Sequence, residues 1–362
     1  MALQFDILPA VDGKDVIVGF SGGVDSCVAA FLLMERGFRL TAVTMRLWRG
    51  QYRGGERDAC FGAHEEEHLA AAADAARALG IPHRVFDLSD EYDRQIIADF
   101  RAAHLAGRTP NPCVRCNPIV KFGLLPRLAA EAGIRFDHFA TGHYARVEPR
   151  ADGRFALLRA RDHAKDQSYF LHRLSQEQLA RQIFPMGGVT KAEAREIARA
   201  HNLAAADRPD SQDFYSGDVG ELIGAEDRPG NIMDLSGKVL GRHNGFWRYT
   251  IGQRKGMGIG GGVPFYVVDR NAQRNEVIVG RADDAVVTSL DMDDVNWVSV
   301  APTSEPVAAR LKVRSVGEPK TRAVLAGTHV EFPEGIRGVA PGQSAVLYAA
   351  DSDEVLCGGF IR

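Results

Sequence analysis

The sequence predicts an α/β fold followed by β structure: a doubly wound parallel sheet at the N-terminus, then a small β-rich domain and a C-terminal β-barrel. Three observations predict it. Apolar strand-like runs alternate with helix-like runs through residues 14–145, as expected of buried parallel strands covered by helices. A glycine-rich turn joins the first such strand to the first helix. Near residue 206 Gly, Pro and Asp become frequent and short alternating strands replace helices, and from about 286 the pattern is entirely short strands. The expected domains are 1–205, 206–283 and 284–362.

Taken in order, Val16-Ile17-Val18 reads as a strand, Gly19–Ser26 as the turn, and Val28–Met34 as a helix. Leu40–Met45 follows as a strand, Glu65–Leu79 as an Ala-rich helix stopped by Gly80, and His83–Leu88 as a strand. Asp90–Ala106 and Lys121–Ala132 read as helices, Phe136–Gly142 as a strand, and Ser175–Leu203 as further helix. Downstream strands are expected at Gly237–Leu240, Phe265–Asp269, Glu276–Gly280, Ala308–Val313, Arg322–Leu325, Val330–Phe332, Ser344–Tyr348 and Glu354–Ile361. Ligands of such a parallel sheet bind beyond the carboxyl ends of its strands. The Gly-rich turn, Met45 and the Thr141-Gly142-His143 corner all fall there.

With 362 residues, 25% of them charged and 45% hydrophobic, the composition is that of a globular protein. Its apolar runs are too short to span a bilayer and no signal-peptide pattern opens it, so a cytoplasmic location and no membrane partner are expected. Five cysteines, an odd count, argue for reduced thiols, metal ligation or catalysis over a disulfide framework. A net charge of −3 exerts no global pull on nucleic acid, so local basic clusters would have to provide it.

Gly19-Phe20-Ser21-Gly22-Gly23-Val24-Asp25-Ser26 places free backbone N–H groups, two serine hydroxyls and a helix N-terminus where an anion would sit. Adjacent glycines allow close approach of a phosphate, and the missing Gly-Lys-Ser/Thr excludes a Walker-type loop. Asp25 is a candidate for holding Mg²⁺, or alternatively for capping the helix. The second segment is Gly107-Arg108-Thr109-Pro110-Asn111-Pro112-Cys113-Val114-Arg115-Cys116-Asn117. Its prolines suggest a rigid, non-helical loop, its two thiols have metal or redox spacing, and Arg108 and Arg115 are expected to favour thiolate. Cys27 and Cys357 read as small core residues.

The Ser-Gly-Gly-Val-Asp-Ser turn resembles the pyrophosphate loop of ATP pyrophosphatases. Together with Gly107–Pro112, Cys116-Asn117 with Lys121-Phe122-Gly123, Ala140–Ala145, Lys165–Leu171, Tyr249–Gly256 and Pro341-Gly342-Gln343, it makes nearly the whole chain similar to tRNA-specific 2-thiouridylases. That resemblance implies ATP-dependent adenylation of the C2 oxygen of a wobble uridine (U34), then sulfur transfer yielding 2-thiouridine, AMP and pyrophosphate. It also implies ATP and Mg²⁺ as cofactors, with the anticodon stem-loop of tRNA and a sulfur-donor protein or sulfide source as partners. ATP would lie on Gly19, Phe20, Ser21, Gly22, Gly23, Val24, Asp25, Ser26, Met45 and Gly142. Cys116 stands at the nucleophile position. Asn111, Pro112 and Cys113 stand where the family meets the target base. Lys165, Asp166, Gln167, His143, Arg314, Ser315 and Gln343 fall on tRNA-contact positions.

Two departures from the family pattern change the sulfur chemistry expected. Most relatives carry Asp where this chain has Cys113. In Ser211-Gln212-Asp213-Phe214-Tyr215-Ser216, Tyr215 replaces the persulfide-carrying cysteine. A phenol cannot carry a persulfide. Cys60, Cys113 and Cys116 then suit a [4Fe–4S] cluster whose fourth iron stays open to present sulfide, with zinc as the alternative metal. Two other readings remain: an ATP pyrophosphatase acting on a small carboxylate or amide, and an inactive tRNA-binding homologue. Three basic clusters suit RNA contact with base stacking: Arg46, Arg49, Arg53 and Arg57 around Trp48 and Tyr52; Arg242, Arg248, Arg254 and Lys255 around Phe246, Trp247 and Tyr249; and Lys312, Arg314, Lys320 and Arg322.

Overall fold

The computed structural model describes residues 13–55, 59–203, 214–260, 262–319 and 321–362. Arg57, Ser211, Gln212, Asp213 and Lys320, named in the sequence reading, lie outside the described residues. The N-terminal part builds strand β1 (Asp15–Gly19), helix α1 (Val24–Glu35), β2 (Arg39–Arg46), α2 (Glu65–Leu79) and β3 (His83–Asp87). A long helix α3 (89–105) contains a π turn over Asp93–Ile97, and α4 (112–131) runs from Pro112–Cys116 through a second wide turn, Asn117–Leu124, to Leu125–Glu131. β4 (His138–Thr141), the hairpin β5 (Ala145–Pro149) and β6 (Phe155–Arg159), the two-residue β7 (Gln182–Ile183) and helix α5 (Lys191–Ala200) follow.

Five strands form a sheet in the order β3-β2-β1-β4-β7, with every pair parallel. The order reverses at β1, which pairs with β2 on one side and β4 on the other. The Gly-rich turn leaves the carboxyl end of that strand, so it opens at the switch point where such sheets bind ligands. The strands owe their central place to near-continuous apolar sequence: Val16, Ile17 and Val18 are at most 2% exposed.

Two expectations fail in this part. The hairpin β5–β6 was not anticipated, and residues 175–203 are not wholly helical, because Gln182–Ile183 joins the sheet edge. The Cys-x-x-Cys segment is not an irregular loop either. Pro112 takes the first helical position, where its missing N–H costs nothing, and the Asn111 side chain accepts a hydrogen bond from Cys113 N at 3.2 Å. The segment is therefore one turn of helix, with both thiols on one face.

β8 (Gly230–Asp234), β9 (Val239–His243), β10 (Tyr266–Asn271) and β11 (Glu276–Gly280) form a central sheet ordered β10-β11-β8-β9. Strands β12 (Val286–Trp297), β13 (Val307–Lys312), β14 (Thr321–Ala326), β15 (His329–Arg337), β16 (Ser344–Ala349) and β17 (Val355–Ile361) close into a barrel ordered β12-β15-β14-β13-β16-β17. One apolar cluster crosses all three parts, joining Ile17 and Phe122 to Ile232 and Val277 and to Val346 and Tyr348. A shared core of this kind fixes the parts relative to one another. Among the described residues no helix is long and apolar enough to cross a membrane.

Candidate active site

The anion seat is made mostly by backbone. Gly22 has φ +71°, and a Cβ there would lie 2.8 Å from the backbone of Ala72 on α2, so glycine is required twice over. Gly23 is extended and opens α1, whose first N–H groups face out of the turn. The two serines are not equivalent. Ser26 is buried; its Oγ accepts from Ser21 N at 3.3 Å and donates to Gly23 O at 3.0 Å, so it shapes the turn, while Ser21 is exposed. Gly142, after β4, closes the other wall: a Cβ there would sit 2.9 Å from the Asp25 carbonyl carbon and the Ser26 nitrogen. Met45 lies half-buried at the end of β2. The next backbone groups, Leu47 N and Trp48 N, donate to the buried Glu65 carboxylate at 2.7 and 2.8 Å. Burial pushes that carboxyl up, against the pull of those two N–H groups.

Asp25 does not cap α1. Its carboxylate accepts from the Lys191 ammonium at 2.7 and 2.9 Å and from the Tyr144 hydroxyl at 2.8 Å. Lys191, 166 residues away, is the first residue of α5 and is buried. The seat therefore carries a built-in cation that the sequence pattern did not reveal.

Cys113 is half-buried and Cys116 buried on α4, while Cys60 is exposed in the turn before Phe61. Burial pushes the Cys113 thiol up to about 12, with the fields of Cys60 and Cys116 acting in the same direction. Cys116 is pushed up to about 11, chiefly by burial and further by Cys60. The buried Tyr92 feels all three thiols as well, after the larger effect of its own burial. The three cysteines thus share one neighbourhood. Among the described residues, however, no group of three His, Cys, Asp or Glu gathers as closely as the ligands of a single metal ion must.

The flanking Arg108 and Arg115 do not favour thiolate as expected. Lys121, one and a half turns after Cys116, is the cation that opposes the upward shifts. Arg115 turns away, bonding Asp99 at 2.7 Å and lying 4.8 Å over the ring of Phe360 in the barrel. Arg108 is exposed and acts on Asp293. Desolvation of a helix packed among Val114, Val120 and Phe122 outweighs the nearby positive charge.

Tyr215 is 8% exposed and stacks on Trp48 at 6.4 Å, with Phe61 at 6.3 Å. Phe61 N donates to Phe214 O at 2.9 Å, so the segment carrying Tyr215 runs beside Cys60. Burial pushes the phenol up to about 12, so it stays neutral and packs as a core ring.

The remaining positions scatter. Gln167 and Tyr144 exchange two bonds, Tyr144 N to Gln167 Oε1 at 2.9 Å and Gln167 N to Tyr144 O at 2.8 Å. Asp166 is buried and accepts from Ser168 Oγ at 2.9 Å, with Arg159 Nε 3.5 Å away. Only Lys165 of that trio is exposed, so Lys165–Gln167 is latched to the Gly142 corner and is not a solvated helix start. His143 Nδ1 lies 2.7 Å from Thr141 Oγ1, and burial with the Lys121 charge holds it well below its usual range, hence neutral. Gln343 Nε2 donates to Thr109 O at 2.9 Å, and Arg314 reaches Gly338 O at 3.0 Å and Ile251 O at 3.1 Å. Ser315 is half-buried beside it.

The basic–aromatic clusters are not stacking surfaces. Trp48, Phe246, Trp247 and Tyr249 are all at most 9% exposed, because large rings gain more from core burial than from display. Arg46 pairs with Glu66, Arg49 with Asp87 and Asp90, and Arg248 with Asp218 and Asp227. Lys312 is buried.

Family models described as tRNA methyl transferase HUP domain, tRNA methyl transferase PRC-barrel domain and Aminomethyltransferase beta-barrel domain match residues 14–215, 221–281 and 287–361. A tRNA-specific 2-thiouridylase MnmA from Endomicrobium trichonymphae is 42% identical over 356 residues, covering 96% of this chain and 98% of that protein. The chain belongs to the tRNA-specific 2-thiouridylase family. Another member, from Chloroflexus aurantiacus, is 44% identical over 358 residues, covering 96% and 98% of the two chains. A solved 4-thiouridine synthetase–RNA complex with bound ATP aligns at 17% identity and a TM-score of 0.35, over 59% of this chain and 46% of that one, a likeness too loose to bear on the site.

Sequence reasoning placed Lys121 and Tyr144 in motifs without giving them a role, and it missed Lys191. Lys121 had a signal: it lies five residues after Cys116 on a helical stretch. Lys191 had none, because its partner lies on another helix.

Proposed function

We propose that this chain is a tRNA-uridine 2-sulfurtransferase that adenylates the C2 oxygen of the wobble uridine and replaces it with sulfur. The single observation carrying the reading is that one cation, Lys121, acts both on Cys113 and Cys116 of α4 and on His143, the residue after Gly142, whose close approach to Asp25 and Ser26 walls the anion seat. The family relation supports the choice of tRNA as substrate. The C2 oxygen of uracil leaves poorly until it is attached to AMP. In this reading the backbone N–H groups of Gly19–Ser26 hold the triphosphate, with Met45 and Gly142 lining the nucleotide pocket. Asp25 would hold Mg²⁺, and Lys191 balances that carboxylate in the meantime.

In this reading Cys113 and Cys116 meet the activated base, after it is drawn from its stack at a cost of about a few kcal/mol. Asn111, Pro112 and Cys113 would meet the base, and Lys165–Gln167, His143, Arg314, Ser315 and Gln343 would support the tRNA, most of them by holding backbone in place. With Tyr215 at the usual persulfide position, the donor function would pass to Cys60, Cys113 and Cys116. Their chemistry as soft thiolate donors fits a [4Fe–4S] cluster, with zinc as the alternative metal. When bound, such a cluster would supply an iron without a protein ligand, able to present sulfide as the nucleophile. Lys121 would then stabilise the thiolates that ligation requires.

The test is anaerobic incubation of the purified chain with ATP, Mg²⁺, a sulfide source and unmodified tRNA bearing U34. Expected are 2-thiouridine, AMP and pyrophosphate in equal amounts, together with iron and sulfide in the protein that vanish in Cys60→Ala. Pyrophosphate release without 2-thiouridine would overturn the sulfur-transfer reading. Full activity of an iron-free Cys60→Ala protein would overturn the cluster.

A further inference from the structure

The segment Gly107–Asn111 that leads into α4 is gripped from both β domains. From the barrel, Pro341 O accepts from Thr109 N at 2.7 Å and Gln343 Nε2 donates to Thr109 O at 2.9 Å. Gly342 sits so close that a Cβ would lie 3.0 Å from Thr109 N. From the central domain comes Arg270 on β10. One Nη2 donates to Gly107 O at 2.6 Å and to Thr109 Oγ1 at 2.7 Å, and Nη1 donates to Tyr249 O at 2.6 Å.

Arg270 is only 7% exposed. None of those three acceptors is a carboxylate, and the nearest charge that acts on the guanidinium is Asp269, so the cation is hydrogen-bonded only to neutral oxygens, an expensive arrangement. Burial accordingly pulls its guanidinium down to about 10 against the opposing field of Asp269, and the neighbouring His104 is held down to about 4 by its own burial and, to a lesser extent, by the Arg270 charge. A hydrophobic residue would fill the space at lower cost but could not bridge acceptors on two segments. The planar fork of arginine can. Thr109 stands two residues before Asn111, whose side chain caps α4 above Cys113. Any slip at Thr109 therefore rotates the cap and both thiols.

We propose that Arg270 is a positioning residue which, through Gly107 and Thr109, sets the start of α4 and so holds Cys113, Cys116 and the segment meeting the target base in register. This deepens the proposed sulfurtransferase reading and rests on it. It makes the central domain a working part of the thiol site and not only a spacer ahead of the barrel.

The test uses the full chain with Arg270→Met, Arg270→Lys, Thr109→Val and the double variant Arg270→Met/Thr109→Val. Arg270→Met should lower kcat for 2-thiouridine at least tenfold, with KM for tRNA and Kd for ATP within twofold of the parent. Arg270→Lys should recover part of the loss, since one ammonium reaches fewer acceptors. Thr109→Val should cost about threefold, and the double variant should be no slower than Arg270→Met, because both act through one contact. Iodoacetamide alkylation of Cys113 in chelator-treated protein at pH 9 should quicken at least fivefold in Arg270→Met. Parent-like kcat and alkylation in Arg270→Met, or strictly multiplicative losses in the double variant, would overturn the proposal. If Arg270→Met does not fold, Arg270→Lys and Thr109→Val decide it by the same two readouts. A parent chain that makes no 2-thiouridine sinks the sulfurtransferase reading alone, and the alkylation arm still judges the grip.

Discussion

The anion seat and the thiol site, linked by the field of Lys121 on Cys113, Cys116 and His143, are built in opposite ways. The seat comes from one short stretch: strand, two glycines and a helix N-terminus within Asp15–Ser26, with Ala72, Gly142, Tyr144 and Lys191 packed against it from elsewhere in the chain. The thiol site draws Cys60 from the turn before α2 and Cys113 and Cys116 from α4. It is braced by Arg270 of the central domain and Gln343 of the barrel. Backbone geometry dictated by local sequence can bind a phosphate without much help. Setting a sulfur against a base takes tertiary bracing, because side-chain position depends on every element packed around it.

The largest effect expected is also the cleanest break between the two. Cys116→Ser should cut 2-thiouridine formation by roughly a thousandfold or more while ATP binding by calorimetry stays within twofold, since the group removed serves only the later step. Loss of ATP binding in this variant would show that the two sites are one. Conversely, Gly142→Val drives a Cβ into the backbone of Asp25 and Ser26. Overpacking of roughly 1–3 kcal/mol corresponds to about five- to 150-fold weaker ATP binding. The alkylation rates of Cys113 and Cys116 should not change with it.

The smallest effect probes the thiols themselves. Burial favours the neutral form of Cys116, whose pKa of about 11 leaves about one part in ten thousand as thiolate at pH 7. In metal-free protein its alkylation rate should therefore climb about tenfold per pH unit between pH 7 and 10, since thiolate is the reactive form. Lys121→Met removes the opposing cation and should slow that alkylation about threefold at every pH in this range. A plateau near pH 8 would mean that the thiol site is far more polar than its packing implies.

The sequence legibly carried the parts whose signal is local. The turn was readable because Gly22 must adopt φ +71° against Ala72, and the barrel strands because alternation of period two survives even at single-residue resolution. Less legible was the hairpin β5–β6, whose Val147 and Leu157 pair across a turn yet carry no flanking strand pattern strong enough to stand out. The Cys-x-x-Cys segment misled because its prolines suggested a loop, whereas Pro112 at the first helical position starts one. The arginines misled because charge is visible in a sequence and desolvation is not: Arg115 found Asp99 and Phe360, and burial set the state of the thiols.

The sequence by itself determined the parallel sheet, the anion turn, the run of β strands after it and the family to which the chain belongs. Each of those rests on residues adjacent in the chain or on a period that repeats along it. Only the tertiary structure decided that Lys191 neutralises Asp25, that the aromatics of the basic clusters are core, and that Arg270 grips Thr109. These contacts join segments tens to hundreds of residues apart, and burial, which no local pattern encodes, decides which charges are satisfied and which thiols stay protonated.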